Sequence, residues 1–257
     1  MKPPRFAQSN GPQTGLARAL SKLGFCSRSE AWRLIESGRV RLNGVACRNA
    51  ERPADLRRDR VEVDGQPVAA ARKIHLVLNK PRGLVTTTSD ERGRDTVYQC
   101  FEGASLPFLS PVGRLDQASE GLLLFTNDTA WAAAITAPET HLDKTYHVQI
   151  DCVPDEALLS RLRDGVSSDG ERLGVKGASV LRQGTRNAWL EILLDEGRNR
   201  HIRRLLEAHG IAVLRLMLVA IGSLQLGNLA KGSWRELTPA EVSALSCVST
   251  GAGRPRR

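Results

Sequence analysis

Asp116 is the residue of this sequence whose type and position most clearly suggest chemistry. It closes the segment Gly-Arg-Leu-Asp, and a polar stretch over residues 117–121 then leads into an apolar run over 122–125. Such a run is typical of a buried strand, and loops that flank a strand are where a rigid sheet presents catalytic groups to solvent. An isolated aspartate in a loop is more often a turn residue, so other parts of the chain must decide between the two interpretations.

Two further residues carry groups that would complement a catalytic carboxylate. Tyr146 is one of only two tyrosines in the chain, and it ends the segment Lys-Thr-Tyr. Arg203 belongs to a basic cluster over residues 198–204. Taken separately, a tyrosine in a strand usually packs in the core, and a basic helix face is usually solvated. Their significance therefore depends on their occurring together with Asp116.

Together these segments closely resemble the three signature motifs of the pseudouridine synthases, in the branch that modifies ribosomal RNA and carries an S4-type domain in front. The resemblance extends over about residues 14–243. It implies that Asp116 is the catalytic residue, that Tyr146 stacks on the target base, and that Arg203 pairs with Asp116.

The resemblance also reaches residues around the three motifs. The segment Asn-Lys-Pro-Arg-Gly over residues 79–83 matches the family, and Arg114 would help to open the RNA and fill the space left by the extruded base. His201 stands where many relatives have Gln, which is a departure from the family pattern. The substrate contacts that the resemblance implies are Arg114, Lys80 and Arg200.

The reaction that this resemblance implies needs few protein groups. The bond from C1′ to N1 breaks, the uracil turns while bound, and C1′ joins C5, so no cofactor is expected. A carboxylate such as Asp116 can stabilise positive character at C1′, attack it, or take the 2′ proton. An adjacent Arg203 would keep that carboxylate ionised. Flipping the uridine out of its stack costs roughly a few kcal/mol, and stacking on Tyr146 would offset roughly 1–3 kcal/mol of that.

The N-terminal part of the chain is predicted to form two short helices followed by a small sheet. Residues 16–24 have apolar positions at helical spacing and end in Gly24, and Ser27 with Glu30 predicts the capping box of a second helix. Residues 39–45 alternate as a strand with a hairpin turn at Asn43-Gly44, and residues 61–65 predict another strand and turn. The residues of the second helix that are predicted to face a hydrophobic core are Ala31, Trp32, Leu34 and Ile35.

This succession resembles an S4 domain, whose helical face and following strand hold RNA backbone with little sequence selectivity. The RNA contacts that the resemblance implies are Arg18, Lys22, Arg28, Arg33, Arg39, Arg41 and Asn43. The charge distribution points the same way, because residues 1–72 hold 14 Lys and Arg against 7 Asp and Glu, whereas residues 73–253 hold 20 against 21. An uneven basic load of this kind indicates a module that binds a polyanion.

The fold class predicted for the whole chain is α+β, with a small α/β S4-like domain before a catalytic domain built on a mixed, largely antiparallel sheet. Strands are predicted at 74–80, 145–150 and 188–194, and helices at 153–165 and 198–209. A length of 257 residues with 41% hydrophobic content allows one large domain and a small one. The predicted divisions are a flexible tail (1–13), the S4-like domain (14–68), a linker (69–72), the catalytic domain (73–243) and a flexible basic tail (244–257).

Several other classes of protein are disfavoured. The sequence shows no apolar signal region and no window of membrane-spanning length. Its five cysteines are scattered without a C-x-x-C pair, and its five histidines lack ligand spacing, so no metal site is predicted. These features predict a cytoplasmic monomer whose partner is ribosomal RNA, free or in an assembling subunit, with no membrane association.

The predicted function is the site-specific isomerisation of uridine to pseudouridine in ribosomal RNA, with a preference for large-subunit 23S RNA. The alternative is a non-catalytic S4-type RNA-binding protein of ribosome assembly. Loss of Asp116, Tyr146 or Arg203 would mark that alternative, and all three are present. An RNA glycosidase that releases uracil would share Asp116 but would leave an abasic product.

Overall fold

The structure is a computed structural model that describes residues 13–168 and 170–247, and the chain in it divides into two units. The N-terminal unit comprises the described residues up to Ile74 together with Ser105–Ser110 and Asn127–Thr129. The C-terminal unit comprises the rest of the described chain. Of the two predicted tails, residues 1–12 and 248–257 lie outside the described residues.

Residues 69–72, predicted to be a linker, group with the N-terminal unit. The backbone N–H of Ala71 donates to the carbonyl oxygen of Leu23 at 3.0 Å, and Asn127 Nδ2 donates to the carbonyl oxygen of Arg72 at 2.8 Å. These bonds join the segment both to the first helix and to a residue more than fifty positions away. A boundary drawn from composition alone does not foresee such long-range partners.

The N-terminal unit contains a four-stranded antiparallel sheet in the order β3-β2-β5-β6, and β1 pairs with β4. Asn43 and Gly44, between β2 and β3, both have positive φ (54° and 78°), which confirms the predicted tight hairpin. The elements of this unit are β1 (Thr14–Gly15), α1 (Leu16–Lys22), α2 (Arg28–Glu36), β2 (Val40–Leu42), β3 (Val45–Cys47), β4 (Pro53–Ala54), β5 (Val61–Val63) and β6 (Gln66–Pro67).

Helix α2 begins as predicted but buries a narrower face. Ser27 is its N-cap and accepts a hydrogen bond from the backbone N–H of Glu30 at 3.1 Å. The prediction that Trp32 faces the core is wrong, because Trp32 is 41% exposed and its Nε1 donates to Glu36 Oε1 at 2.8 Å. On a helix Trp32 lies one turn before Glu36 on the solvated side, whereas Ala31, three and four residues before the buried Leu34 and Ile35, shares their face.

The C-terminal unit is larger and is built around a nine-stranded sheet. None of the helices in the described ranges is long and apolar enough to cross a membrane. The elements are β7 (His75–Lys80), a 3₁₀ turn (Val97–Phe101), β8 (Ser110–Val112), β9 (Glu120–Thr126), α3 (Thr129–Thr136), a second 3₁₀ turn (Pro138–Thr140), β10 (Lys144–Ile150), α4 (Glu156–Asp164), β11 (Val166–Ser168), β12 (Glu171–Leu173), β13 (Gly177–Gln183), β14 (Ala188–Leu194), α5 (His201–Glu207), β15 (Val213–Ile221), β16 (Leu224–Gln225), β17 (Trp234–Glu236) and α6 (Pro239–Cys247).

The main sheet has the order β13-β14-β10-β15-β9-β7-β17, with β16 beside β15 and β8 beside β9. In the strand order above, and for β16 with β15, the pairs are antiparallel except β15 with β9, which run parallel where Met217 and Leu218 meet Glu120 and Gly121. The predicted mixed, largely antiparallel sheet is therefore confirmed. Gly121 has φ 106°, and a Cβ there would lie 2.2 Å from the carbonyl oxygen of Leu218. Only glycine permits this close approach, which brings the loop of Asp116 to the middle of the sheet.

Two predicted boundaries need correction, one of a helix and one between the catalytic domain and the C-terminal tail. The helix predicted over 198–209 is observed only over His201–Glu207, because Arg200 adopts a left-handed conformation (φ 49°, ψ 31°) that interrupts helical geometry. The three residues before His201 therefore form a loop. At the other end of the unit, α6 continues to Cys247 with Leu245 buried. Residues 244–247 of the predicted flexible tail are thus helical, since Leu245 packs in the interior.

Candidate active site

A cleft in the C-terminal unit brings together most of the residues predicted to do chemistry. It holds about 480 Å³ of empty space, counted to its open mouth. In the described ranges no group of three His, Cys, Asp or Glu side chains is placed to hold a metal ion. The cleft is lined by Arg114, Leu115, Asp116, Ser119, Tyr146, Leu194, Gly197, Arg198, Arg200, His201, Ile202, Arg203 and Leu216.

Asp116 faces two arginines across this cleft. Its Oδ2 lies 3.5 Å from Arg200 Nη1 and 4.0 Å from Arg203 Nε, and its side chain is 40% exposed. Arg203 is only 13% exposed, and its Nη2 donates to the carbonyl oxygen of Ala118 at 3.2 Å and to Ser119 Oγ at 3.4 Å. Burial lowers the pKa of Arg203, and the charge of Arg200 lowers it further. The carboxylate therefore lies in a fixed cationic field, with Arg200 nearer to it than Arg203.

Lys80 has a different place from the one predicted. Its side chain is completely buried, and its Nζ donates to the carbonyl oxygens of Pro81 (3.1 Å), Asp116 (3.2 Å) and Ser119 (2.8 Å). An ammonium has three N–H donors, so these three acceptors account for all of them. The predicted contact of Lys80 with substrate is corrected, because the buried lysine instead holds the loop that carries Asp116. Burial lowers the pKa of Lys80 to about 8.

The same loop is held by neighbouring polar contacts. Thr86 Oγ1 donates to the carbonyl oxygen of Leu115 at 2.7 Å. The backbone N–H of Gly83 donates to the carbonyl oxygen of Gln117 at 2.8 Å, and Gln117 Nε2 donates back to the carbonyl oxygen of Gly83 at 3.0 Å. Asp116 is thus fixed through the residues on both sides of it. A carboxylate held in this way needs little reorganisation when charge develops beside it.

Tyr146 lies in the middle of the sheet on the wall of the cleft. It is on β10, where its register partners are Ile192 on β14 and Leu218 on β15. Burial raises its pKa to about 12, and the negative charge of Asp116 contributes to the increase. The phenol is therefore neutral at ordinary pH. A neutral ring beside the apolar side chains of Leu194 and Leu216 offers a surface on which a base can stack.

A second, larger groove of about 1020 Å³ adjoins the cleft. Sequence reasoning missed two of its cations, Arg94 and Arg198, although Arg198 lies in the basic cluster over residues 198–204. Arg94 is held by Asp90, with Nη2 2.6 Å from Oδ1 and Nε 3.1 Å from Oδ2. The residues common to the cleft and the groove are Arg114, Leu115, Asp116, Gly197, Arg198 and Arg200, and the groove adds Val85, Thr86, Arg94, Gln117 and Asn199.

The sequence of this unit matches the family model described as RNA pseudouridylate synthase over residues 74–208, which is slightly more than half of the chain. The chain belongs to this family. It is an RNA pseudouridine synthase, an isomerase that acts on uridine in RNA. The first part of this synthase, residues 14–61, matches the S4 domain model, which confirms the predicted two-module organisation.

Relatives of this synthase span nearly the whole chain. An uncharacterized RNA pseudouridine synthase of Aquifex aeolicus is 37% identical over 88% of this chain and 91% of its own. The ribosomal large subunit pseudouridine synthase B of Bacillus subtilis is 32% identical over 91% of this chain and 96% of its own. A crystal structure of a pseudouridylate synthase superposes with a TM-score of 0.63 at 27% identity, covering 90% of this chain and 99% of that one.

The predicted RNA contacts of the S4 domain are all exposed, but not all are equally available. Arg33 pairs with Glu30 at 3.1 Å, and Arg39 Nε donates to Asp64 Oδ1 at 2.9 Å. Asn43 uses both ends of its amide within the fold: Nδ2 donates to Asp59 Oδ1 at 2.8 Å, and Oδ1 accepts from the backbone N–H of Arg60 at 2.9 Å. Its side chain therefore stabilises the hairpin. The exposed residues that remain as the strongest candidates are Arg18, Lys22, Arg28 and Arg41.

Proposed function

We propose that this synthase isomerises uridine in ribosomal RNA, with large-subunit RNA as its substrate, and that Asp116 is its catalytic carboxylate. The assignment of Asp116 rests on the convergence of Asp116, Tyr146 and Arg203 on one cleft. The choice of RNA is supported by the Bacillus subtilis relative, which is named for the large ribosomal subunit and is similar over nearly its whole length.

The cleft has the features that a flipped uridine requires. Its base would stack on Tyr146 and contact the apolar side chains of Leu194 and Leu216, while its ribose would lie toward Asp116. Arg114, exposed at the rim beside Asp116, would occupy the gap that the extruded base leaves in the RNA. Stacking on an aromatic ring is worth roughly 1–3 kcal/mol per base, which offsets much of the cost of unstacking.

The chemical step follows from this placement. The C1′–N1 bond breaks and the C1′–C5 bond forms, while the proton on C5 is removed and N1 gains one, so the product is an isomer. A ribose bound in this part of the cleft would lie close enough to Asp116 for the carboxylate to stabilise, attack or deprotonate it as the glycosidic bond opens. Arg200 and Arg203 keep the carboxylate in a cationic environment without placing a second carboxylate beside it.

The deciding experiment maps pseudouridines in both ribosomal RNAs from cells with and without the gene. We expect one or a few pseudouridines of large-subunit RNA to disappear in the deletion strain and to return with the wild-type gene but not with the Asp116→Asn gene. An unchanged map would support the alternative of a non-catalytic RNA-binding protein. Release of free uracil by the purified protein would indicate an RNA glycosidase.

A further inference from the structure

Arg198 lies where the active-site cleft meets the larger polar groove, and it lines both. The cleft suits one nucleotide, so the RNA strand on either side of a flipped uridine must leave it across such a junction. The groove of about 1020 Å³ is twice as large as the cleft and has a polar lining that includes Arg94 and Asn199. A cation at this position is well placed to meet the phosphate that links the flipped nucleotide to its neighbour.

The guanidinium of Arg198 is held in place by two partners. Its Nε lies 2.9 Å from Glu196 Oε2, and its Nη1 donates to the carbonyl oxygen of Arg172 at 2.9 Å. A guanidinium has five N–H donors, so three remain after these two bonds. The side chain retains 35% exposure. Arg198 is therefore oriented before substrate arrives and still has donors for a phosphate, which it can bind with two parallel hydrogen bonds.

Glu196 is in turn supported by His201. The side chain of His201 is only 3% exposed, and its Nδ1 lies 3.4 Å from Glu196 Oε1, the oxygen that Arg198 does not contact. The charged groups that face the imidazole are Glu196 and Arg198 from the preceding loop, Arg204 from α5 and Glu171 from β12. The carboxylate thus lies between the guanidinium at the junction, which hydrogen-bonds to it, and a buried imidazole that faces it without a hydrogen bond.

We propose that Arg198 binds the RNA phosphate next to the flipped uridine, and that His201 is a positioning residue that acts on Arg198 through Glu196. The inference rests on the proposed function, since it names a contact of the same substrate. A phosphate is favoured over a base edge because the remaining donors of Arg198 sit at a rim through which the backbone must pass.

The first test replaces Arg198 by Gln and measures binding to transcribed large-subunit ribosomal RNA as a function of salt. Loss of one phosphate contact on a single strand flattens the slope of log K against log salt by about 0.7. We also expect KM to rise about ten-fold, the effect of losing one charge-assisted hydrogen bond, with a smaller change in kcat. The control is Arg186→Gln, which removes an equal charge at the opposite end of β14, on the order of 20 Å from Leu194 in the cleft.

The second test compares His201→Leu with His201→Gln. Leu keeps the volume but removes the polar nitrogen that faces Glu196 at 3.4 Å, so it should raise KM and flatten the salt slope in the same direction as Arg198→Gln. Gln keeps a polar group facing Glu196 and should retain wild-type values. If His201 were only a packing residue, Leu would be tolerated at least as well as Gln and the salt slope would not change.

The phosphate contact of Arg198, the positioning role of His201 and the proposed function are each contradicted by a different result. An unchanged salt slope in Arg198→Gln, in a protein whose wild type still forms pseudouridine in that RNA, would overturn the phosphate contact alone. Equal behaviour of the two His201 variants would overturn its positioning role. Wild-type protein that forms no pseudouridine in either ribosomal RNA would overturn the proposed function, and the binding measurements would report on Arg198 all the same.

Discussion

The S4 domain and the active-site cleft both present arginines, but they hold them in different ways. In the S4 domain the predicted RNA contacts are exposed and spread over α1, α2, β2 and the residues that flank β2. In the cleft, Arg200 and Arg203 converge to within 4.0 Å of one carboxylate, and Arg203 is largely buried. Dispersed exposed charges suit phosphates along a strand, whereas convergent, partly buried charges suit one reacting nucleotide.

The net charge of a region therefore does not reveal the local electrostatic potential at a site within it. Residues 73–253 carry 20 basic and 21 acidic side chains, which suggests a neutral body. Many of those charges are paired away from the cleft, as in Arg235 with Glu241 at 2.7 Å and Lys176 with Asp143 at 2.6 Å. The cleft keeps an excess of cations around a single acid. Its arginines are Arg114, Arg198, Arg200 and Arg203.

The largest effect is expected from Asp116→Asn. The amide keeps the size of the side chain but cannot supply the negative charge or the nucleophile, so turnover should fall by at least about 10³-fold. RNA affinity should stay within a few-fold of wild type, because removal of an acid from a cationic cleft does not weaken phosphate contacts. Single-turnover assays and binding curves measure both, with Asp164→Asn on α4 as the matched control. Normal turnover by Asp116→Asn would show that Asp116 is not the catalytic carboxylate of the cleft.

A smaller loss is expected from Lys80→Met, which tests whether a charge that never meets substrate supports catalysis. Met fills the volume of the side-chain stem but leaves three backbone carbonyls without their donor, at about 1–3 kcal/mol for each unsatisfied group. The loop of Asp116 should loosen, and kcat should fall by about ten- to a hundred-fold while KM changes little. A rise in KM with unchanged kcat would instead indicate a direct substrate contact.

Wild-type activity should also respond to the titration of Lys80. Because its pKa is lowered to about 8, the ammonium loses one of its three donors as pH rises through that value. Turnover should therefore decline above about pH 8 in the wild type, and this decline should be absent from the residual activity of Lys80→Met.

Replacing four cations of the S4 domain by Gln should weaken RNA binding more than it slows the chemical step. The quadruple Gln variant is made in the intact chain, because segments from beyond residue 100 belong to the N-terminal unit and truncation would strip it of partners. If all four cations contact phosphates, the salt slope should flatten by about 3. KM should rise while single-turnover rates at saturating RNA stay near wild type. The residues replaced are Arg18, Lys22, Arg28 and Arg41.

Arg114→Gln is the counterpart of this variant inside the cleft. One lost cation should flatten the salt slope by no more than about 0.9, yet it should lower the single-turnover rate because the flipped state loses support. Similar changes in salt slope and single-turnover rate for the two variants would show that the S4 domain and the cleft do not have separate roles in binding and chemistry.

Local sequence predicted much of this architecture, and long-range contacts account for what it missed. The hairpin at Asn43-Gly44 and the N-cap at Ser27 depend on neighbouring residues, and both appear as predicted. The role of Lys80 depends on carbonyl groups up to 39 positions away, which no local pattern reveals. The same holds for Glu120, a buried carboxylate paired with Arg215 at 2.9 Å and Lys231 at 2.7 Å.

The family motifs predicted which residues form the candidate site better than they predicted how those residues are arranged. The motifs point to Asp116, Tyr146 and Arg203, and these residues line one cleft. They do not show that Arg200 lies nearer to Asp116 than Arg203 does, since that depends on the left-handed backbone at Arg200. Trp32 was misplaced because its apolar character outweighed its helical phase, although the phase decides burial.

The smallest expected effect is the contribution of His201 to the loss of folding stability at acid pH. Burial lowers the pKa of His201, and the charges of Arg198 and Arg204 add to that, while Glu196 partly opposes it. The unfolded chain therefore binds a proton more readily than the folded one, so stability rises with pH in this range. The contribution is fully present above the ordinary histidine pKa of about 6.5 and is lost as pH falls through the lower folded value.

This predicts a difference between wild type and His201→Gln that grows as pH falls. Thermal unfolding at pH 7.5 should give similar midpoints for the two proteins, whereas at pH 5.5 the wild type should have lost more stability, because Gln does not titrate. His141→Gln, at a histidine whose side chain is 72% exposed, serves as the matched control. Parallel curves for wild type and His201→Gln would show that the imidazole is charged as easily in the folded protein as in the unfolded chain. The contacts from the buried His201 through Glu196 to Arg198 would then not be the source of any acid sensitivity of the cleft.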